Sequence, residues 1–289
     1  MTTHVLELDG VDLTYDVHGP LPTADGRPPL VLIAQPMDAS GFRALVARFP
    51  ERTVVTYDPR GLGRSVRSDG VETHSPTVQA GDVHALIEAL GAGPVELFGS
   101  SGGAIVGLAL VAAHFGDVLT LVAHEPPLIT LLPDAEPAAR ARAAVTEAYR
   151  AKGFGAGMAA FIAMTSWPGP YTDDYFATPP PDPAQLGMPT EDDGTRDNPL
   201  LSDLAWAVSD YRPDVDALKS APTRLVIAVG EESLDVETGR TALATAAFLG
   251  TEAVVFPSHH GGFMDGEFGY AGQPEAFAAK LREVLAGSS

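Results

Sequence analysis

The stretch from Val95 to Gly116 constrains the fold more than any other part of this 289-residue chain. A short strand-like run, Val95 to Phe98, passes directly into Gly99-Ser100-Ser101-Gly102-Gly103 and then into a helix-length segment, Gly102 to Phe115, that stops at Gly116. A strand that turns at once into a helix needs small neighbours, because the turn is tight and strained. It lifts the central serine above the sheet at a helix N-terminus, where developing negative charge is favoured. The competing reading is a glycine-rich turn with an incidental serine.

The same rhythm extends on both sides. Strands are expected at Val11 to Val17, Leu30 to Ala34, Thr53 to Tyr57, Val95 to Phe98 and Leu119 to Ala123, with helices at Gly41 to Phe49 and Thr77 to Leu90. Alternating units of this kind build a mostly parallel sheet flanked by helices. The rhythm stops after Pro126. Helical stretches follow at Ala138 to Lys152, Gly155 to Ser166 and Leu200 to Tyr211, but no strand. Trp167 to Asn198, with prolines at 168, 170, 179, 180, 181, 183 and 189, is expected to form no regular interior element. Strands at Arg224 to Val229 and Ala253 to Phe256 and helices at Glu237 to Leu249 and Pro274 to Leu285 then resume the sheet. Residues 1–127 and 213–289 therefore form one α/β core. Residues 128–212 form a helical cap over the carboxyl ends of the strands, where open α/β sheets bind ligands.

Composition narrows the partners. With 38 acidic residues against 18 basic ones the formal net charge is −20, so nucleic acid and anionic lipid surfaces are disfavoured. A strongly anionic substrate is disfavoured too, unless the pocket carries its own arginines; a neutral small molecule fits better. There is no cysteine, hence no disulfide and no thiolate nucleophile. Met1 to Gly10 lacks a leader pattern and no run is long and apolar enough to span a membrane, which makes a cytoplasmic location the default. No His-x-x-x-His or carboxylate cluster points to zinc, and no metal or cofactor is expected. A homodimer is compatible with the sequence.

Gly99 to Gly103, the turn Asp58-Pro59-Arg60-Gly61-Leu62-Gly63-Arg64-Ser65 and a late histidine together resemble the α/β-hydrolase superfamily over the whole chain except the cap. The resemblance implies a serine nucleophile, an acid and a histidine, with an oxyanion site after the third strand. Ser101 is a weak nucleophile until a base takes its proton. In Pro257-Ser258-His259-His260-Gly261-Gly262-Phe263 two bases are offered, and alignment with the family's turn favours His260 over His259. One oxyanion donor is the N–H of Gly102. Where many relatives carry His-Gly this chain reads Gln35-Pro36-Met37; proline has no N–H, so Met37 is the expected second donor. Arg60 is expected to hold its turn by hydrogen bonds.

The acid departs from the commoner pattern. Val229-Gly230-Glu231-Glu232-Ser233 places Ser233 where an aspartate is usual, leaving Glu232 and Asp235 as nearby substitutes. Glu125, in His124-Glu125-Pro126-Pro127, stands instead after the sixth strand, a position from which zearalenone lactonases and certain haloalkane dehalogenases take theirs. The competing reading of Glu125 is a carboxylate that holds a loop. The chain resembles the lactonases more, since dehalogenases and epoxide hydrolases use aspartate where Ser101 stands.

These readings converge on a serine hydrolase, an esterase or lactonase that works through an acyl-enzyme on a small, fairly apolar substrate. Its cap aromatics Phe161, Trp167 and Tyr171 are candidates to line the pocket. The same fold also serves carbon–carbon bond hydrolases and cofactor-free haloperoxidases or oxygenases, and a slow-turnover ligand receptor is a further alternative.

Overall fold

A computed structural model of the chain describes residues 1–24, 26–71 and 74–287. Eight strands make the body of the sheet: β1 (Thr2–Leu8), β2 (Val11–His18), β3 (Leu30–Gln35), β4 (Val54–Tyr57), β5 (Val95–Ser101), β6 (Val118–His124), β7 (Arg224–Gly230) and β8 (Val254–Phe256). A ninth, the two-residue Val66–Arg67, pairs with β2 alone. The spatial order is β1-β2-β4-β3-β5-β6-β7-β8. β1 and β2, and β2 and β4, run antiparallel, and every other neighbouring pair is parallel. The architecture is α/β, a mostly parallel sheet flanked by helices.

Side chains that alternate along the central strands feed two separate cores, as the period of two in a strand requires. Val31, Ile33, Leu97, Leu121, Ala123, Ile227 and Val229 pack toward α2 (Pro76–Leu90), α3 (Gly102–Ala113), α8 (Val215–Ser220) and α9 (Glu237–Leu249). Leu30, Leu32, Phe98, Val122 and Ala228 pack toward α1 (Arg43–Ala47) and α10 (Pro274–Leu285). Burial on both faces explains why these strands read as nearly continuous apolar runs. No helix of the described residues is long and apolar enough to cross a membrane.

Between β6 and β7 the chain forms only helices, 3-10 turns and coil. α4 (Ala135–Lys152) and α5 (Phe154–Thr165) share a third apolar cluster built on Ala138, Ala141, Val145, Tyr149, Ala160 and Met164, against which Ala244 of α9 packs. Leu200 to Tyr211 is not one helix, as its pattern predicts, but a 3-10 turn, Asp203–Ala205, followed by the short α7 (Trp206–Ser209). Polar side chains win locally: Asn198 Oδ1 accepts from the N–H groups of Leu200 and Leu201, and Ser202 Oγ accepts from Leu204 N–H. The proline-rich segment holds a short α-helix, α6 (Asp173–Ala177), in a proline-free stretch, and a 3-10 turn, Pro183–Leu186. β1 and the Val66–Arg67 strand are further elements that the reading of the sequence did not anticipate.

The Asp58 to Ser65 turn is a hydrogen-bonded clamp. Asp58 accepts from the N–H groups of Ala39 and Arg64, which ties the exit of β4 to the segment that follows β3. Arg60, 6% exposed, is paired with Asp82 of α2 through Nε at 2.6 Å and reaches Asp69 at 3.1 Å.

Candidate active site

β5 ends in a residue that no ordinary strand or helix would accept. Ser101 has φ 56° and ψ −129°, in the left-handed half of backbone space where a side chain is strained. The strain persists because the neighbours leave no other path: a Cβ at Gly103 would stand 2.4 Å from Ile33 O and 2.5 Å from Ala34 Cα. α3 therefore presses its first turn against β3, and Ser101 caps that helix at the end of the sheet. Among the described residues the only other non-glycine residues with positive φ are Glu125, Ser258 and Phe268. Glu125 follows β6, Ser258 opens the turn that holds His259 and His260, and Phe268 lines the same cavity as Ser101. Among the described residues, positive φ outside glycine is thus gathered around one place.

Glu125 is 0% exposed. Its N–H donates to Ala228 O at 3.0 Å, and its Oε1 accepts from Gly230 N–H at 2.8 Å, so β6 and β7 together hold it. Oε2 lies 2.7 Å from His260 Nδ1. Burial opposes ionisation of this carboxyl, but the hydrogen bond from His260 and the neighbouring imidazoles outweigh it and hold the pKa well below the usual carboxylate range. An ionised carboxylate only accepts, which puts the imidazole proton on Nδ1 and leaves Nε2 with a free lone pair. His260 and Ser101 both line one cavity of about 890 Å³. Among the described residues the Ser101 hydroxyl makes no side-chain hydrogen bond, so the serine and imidazole are brought to the same cavity without being locked together. Catalytic hydrogen bonds commonly tighten only when substrate is bound.

The structure separates the two late histidines. His259 also faces the cavity, but its Nδ1 accepts from Gly261 N–H at 3.0 Å and, among the described residues, no carboxylate orients it. The loop carboxylates are placed differently from Glu125: Glu232, exposed, accepts from Gln273 at 3.4 Å, and neither it nor Asp235 bonds to a histidine among the described residues. Ser233, in the usual place of the acid, is buried.

Two expected pocket residues are placed elsewhere. Before Met37, the expected N–H donor, Gln35 and Pro36 line the cavity, Gln35 pairing with Ser101 across β3 and β5, and the Met37 side chain turns toward Gly41. Tyr171 is buried in the insert's own cluster, its hydroxyl within hydrogen-bond distance of Met164 O at 3.1 Å and Glu237 at 3.0 Å. Trp167 packs edge-on to Tyr175 and donates its indole N–H to Pro170 O at 3.1 Å. Both aromatics thus pack within the insert, and of the three expected aromatics Phe161, Trp167 and Tyr171 only Phe161 lines the cavity. Gly102 lines it as well.

Two charged groups in the cavity wall, Arg142 and Glu237, were missed. Arg142 carried a legible signal, since it sits within the apolar stripe Ala138, Ala141, Val145 and Tyr149 of α4, where a charge is out of place. The fold also brings His84 of α2 to His114 and Asp117, three residues apart after α3, as a half-buried group. His84 Nδ1 lies 2.7 Å from Asp117, and the two rings stack at 3.9 Å.

His124, immediately before Glu125, is 0% exposed, and its Nε2 has no hydrogen-bond partner among the described residues. Burial pushes its pKa down from 6.5 to about 4, with Glu125 opposing and His260 and His259 assisting. Because the folded value lies below the unfolded one, the unfolded chain takes up a proton below pH 6.5 that folded His124 refuses. Stability is therefore lost as pH falls from 6.5 toward 4, by about 1.4 kcal/mol per pH unit from this residue. Melting temperatures measured from pH 7 to 4.5 should fall less steeply for His124→Gln than for the parent; equal slopes would show that His124 does not carry the effect.

Comparison with known proteins follows the same lines. The model of the alpha/beta hydrolase family matches residues 17–280. The uncharacterized hydrolase YraK of Bacillus subtilis is 28% identical over 294 residues, covering 97% of this chain and 94% of that protein. Among solved structures, a thermophilic esterase from Thermogutta terrifontis superposes with TM-score 0.63 at 21% identity, over 100% of this chain and 99% of the other. Proline iminopeptidase from Mycobacterium smegmatis superposes with TM-score 0.61 at 18% identity, over 99% and 98%. At those identities the two structures share a fold with this chain, and their differing reactions leave its substrate open.

Proposed function

The chain belongs to the alpha/beta hydrolase family, and from that premise we propose that it hydrolyses a carboxylic ester or lactone of a small, fairly apolar substrate through an acyl-enzyme. The observation that carries this reading is the 2.7 Å contact between Glu125 and His260 Nδ1, which leaves His260 Nε2 as a base facing the cavity that holds Ser101.

In this mechanism Ser101 Oγ attacks the carbonyl carbon as His260 Nε2 takes its proton. Glu125 orients the imidazole and stabilises the cation that forms. The Gly102 N–H supplies one oxyanion donor. The second is assigned to the N–H of Met37, in the turn leaving β3. His260 returns its proton to the leaving alcohol, and water then enters by the same route to release the acid.

Residues 128–212 act as the cap in this reading. The cavity takes its floor from the sheet end and its walls from Ile129, Phe154, Met158, Phe161, Met188 and Leu200. Walls of that kind, around a volume within the usual range for small-molecule sites, favour an apolar acyl or alcohol group over a peptide.

Labelling with diethyl p-nitrophenyl phosphate tests the proposal. One equivalent of p-nitrophenolate should be released per chain, with the phosphoryl adduct on the peptide carrying Ser101 and loss of p-nitrophenyl ester hydrolysis in proportion. Full activity after complete labelling, or an adduct on another residue that tracks the loss, would overturn it.

A further inference from the structure

One wall of the cavity is out of keeping with the rest. Arg142 is 7% exposed, projects from the buried face of α4 and lines the cavity. Its guanidinium donates to Leu200 O at 3.1 Å and to Thr146 Oγ1 at 3.5 Å. Glu237, Asp210 and Asp203 lie in its electrostatic surroundings, yet among the described residues none comes within ion-pairing distance of it. Buried arginines are ordinarily matched to a carboxylate, because the desolvated charge is otherwise costly. A chain with 38 acidic residues has no shortage of partners to offer, and Arg60, Arg64 and Arg240 each have one.

Glu237, the other buried charge in this wall, does not fill the role. Its carboxyl takes the Tyr171 hydroxyl at 3.0 Å, and burial raises its pKa above the usual carboxylate value. Burial lowers that of Arg142, but a guanidinium stays protonated at any physiological pH. The cavity therefore offers an apolar surface with a fixed cation and unused N–H donors. A carboxylate is the small group that matches a planar guanidinium fork, in charge and in geometry.

We propose that Arg142 anchors a free carboxylate on the substrate, so that the compound turned over is a monoester of a dicarboxylic acid or a lactone bearing a carboxylate. The identity as an ester or lactone rests on the hydrolase reading above; the anion site does not. Arg142 also reverses, inside the cavity, the repulsion that the net charge of −20 imposes outside it.

Binding and turnover separate the two claims. In the Ser101→Ala protein, the dicarboxylates from succinate to suberate should bind with an optimum length, and Arg142→Met in that background should weaken the best of them about a hundredfold. Arg142→Lys, which retains the charge but not the fork, should recover part of the loss. In the protein with Ser101, the ratio of kcat/KM for the p-nitrophenyl monoester of that diacid to kcat/KM for a neutral p-nitrophenyl ester of equal length should fall about a hundredfold on Arg142→Met. Dicarboxylate binding that depends on Arg142, without hydrolysis of any ester, would support the anion site and remove the hydrolase reading. Dicarboxylates that bind no better than neutral diols, or equally well to folded Arg142→Lys and Arg142→Met proteins, would overturn the proposal and leave Arg142 as a structural member of the insert.

Discussion

Replacing Ser101 by alanine is expected to lower kcat for ester hydrolysis by a factor on the order of 10⁵ to 10⁶, with little loss of binding. The size follows from removing the atom that forms the acyl bond, after which only the oxyanion donors and substrate positioning remain. The fold should tolerate the change. A single oxygen is lost, and φ 56° at this position is imposed by Gly103 against β3, not by the serine hydroxyl. Hydrolysis of p-nitrophenyl esters, measured beside the melting temperature, checks both halves. A folded variant keeping more than about a tenth of the rate would exclude Ser101 as nucleophile.

Glu125→Gln is expected to cost about 10⁴ in kcat, for a different reason. An amide can still accept from Gly230 N–H through its oxygen, so the side chain stays where Glu125 is held. Its NH₂ then faces His260 and donates where the carboxylate accepted. The imidazole must hold its proton on Nε2 to satisfy that contact, and the lone pair that should receive the serine proton is gone. Glu232→Gln and Asp235→Asn, which alter groups that bond to no histidine, should each lose less than about tenfold. Kinetics on the three folded variants decide the matter: collapse of a loop variant with Glu125→Gln still active would place the acid on the loop.

Much of the fold was legible because each central strand is buried on both faces and each long helix ends in a recognisable stop. α9 and α10 fall where expected, and Gly91 and Gly250 close α2 and α9 in the left-handed conformation. β1 escaped notice although Asp9-Gly10 is a strong hairpin signal and Leu8 pairs with Val11 across it. Its outer face is exposed, so the run Thr2 to Leu8 lacks the apolar density of the other strands.

At the candidate site, the local motif located Ser101, and a missing aspartate at position 233 directed attention to Glu125. Trp167 and Tyr171, expected in the cavity wall, lie elsewhere for one shared physical reason. Which residue of a turn or a helical insert faces a cavity depends on register and on packing between distant segments, and a residue's chemical type carries neither. Arg142 was the reverse case, a helix-face anomaly visible in sequence whose meaning needed the cavity.

The carboxylate of Glu125 reaches across to the end of β7, and this leaves a mark at a second position. A Cβ at Gly230 would stand 2.6 Å from Ser258 O, 3.0 Å from Glu125 Oε1 and 3.1 Å from the carbonyl carbon of His259, so the glycine is required by the backbone that carries the two histidines as well as by the carboxylate. Shortening the side chain at 125 would therefore not open position 230, since the Ser258 carbonyl alone leaves no room for a Cβ. One glycine thus lets the end of β7 lie against both the carboxylate from β6 and the turn that follows β8, and a substitution there should disturb the Glu125–His260 contact from behind, without touching either residue.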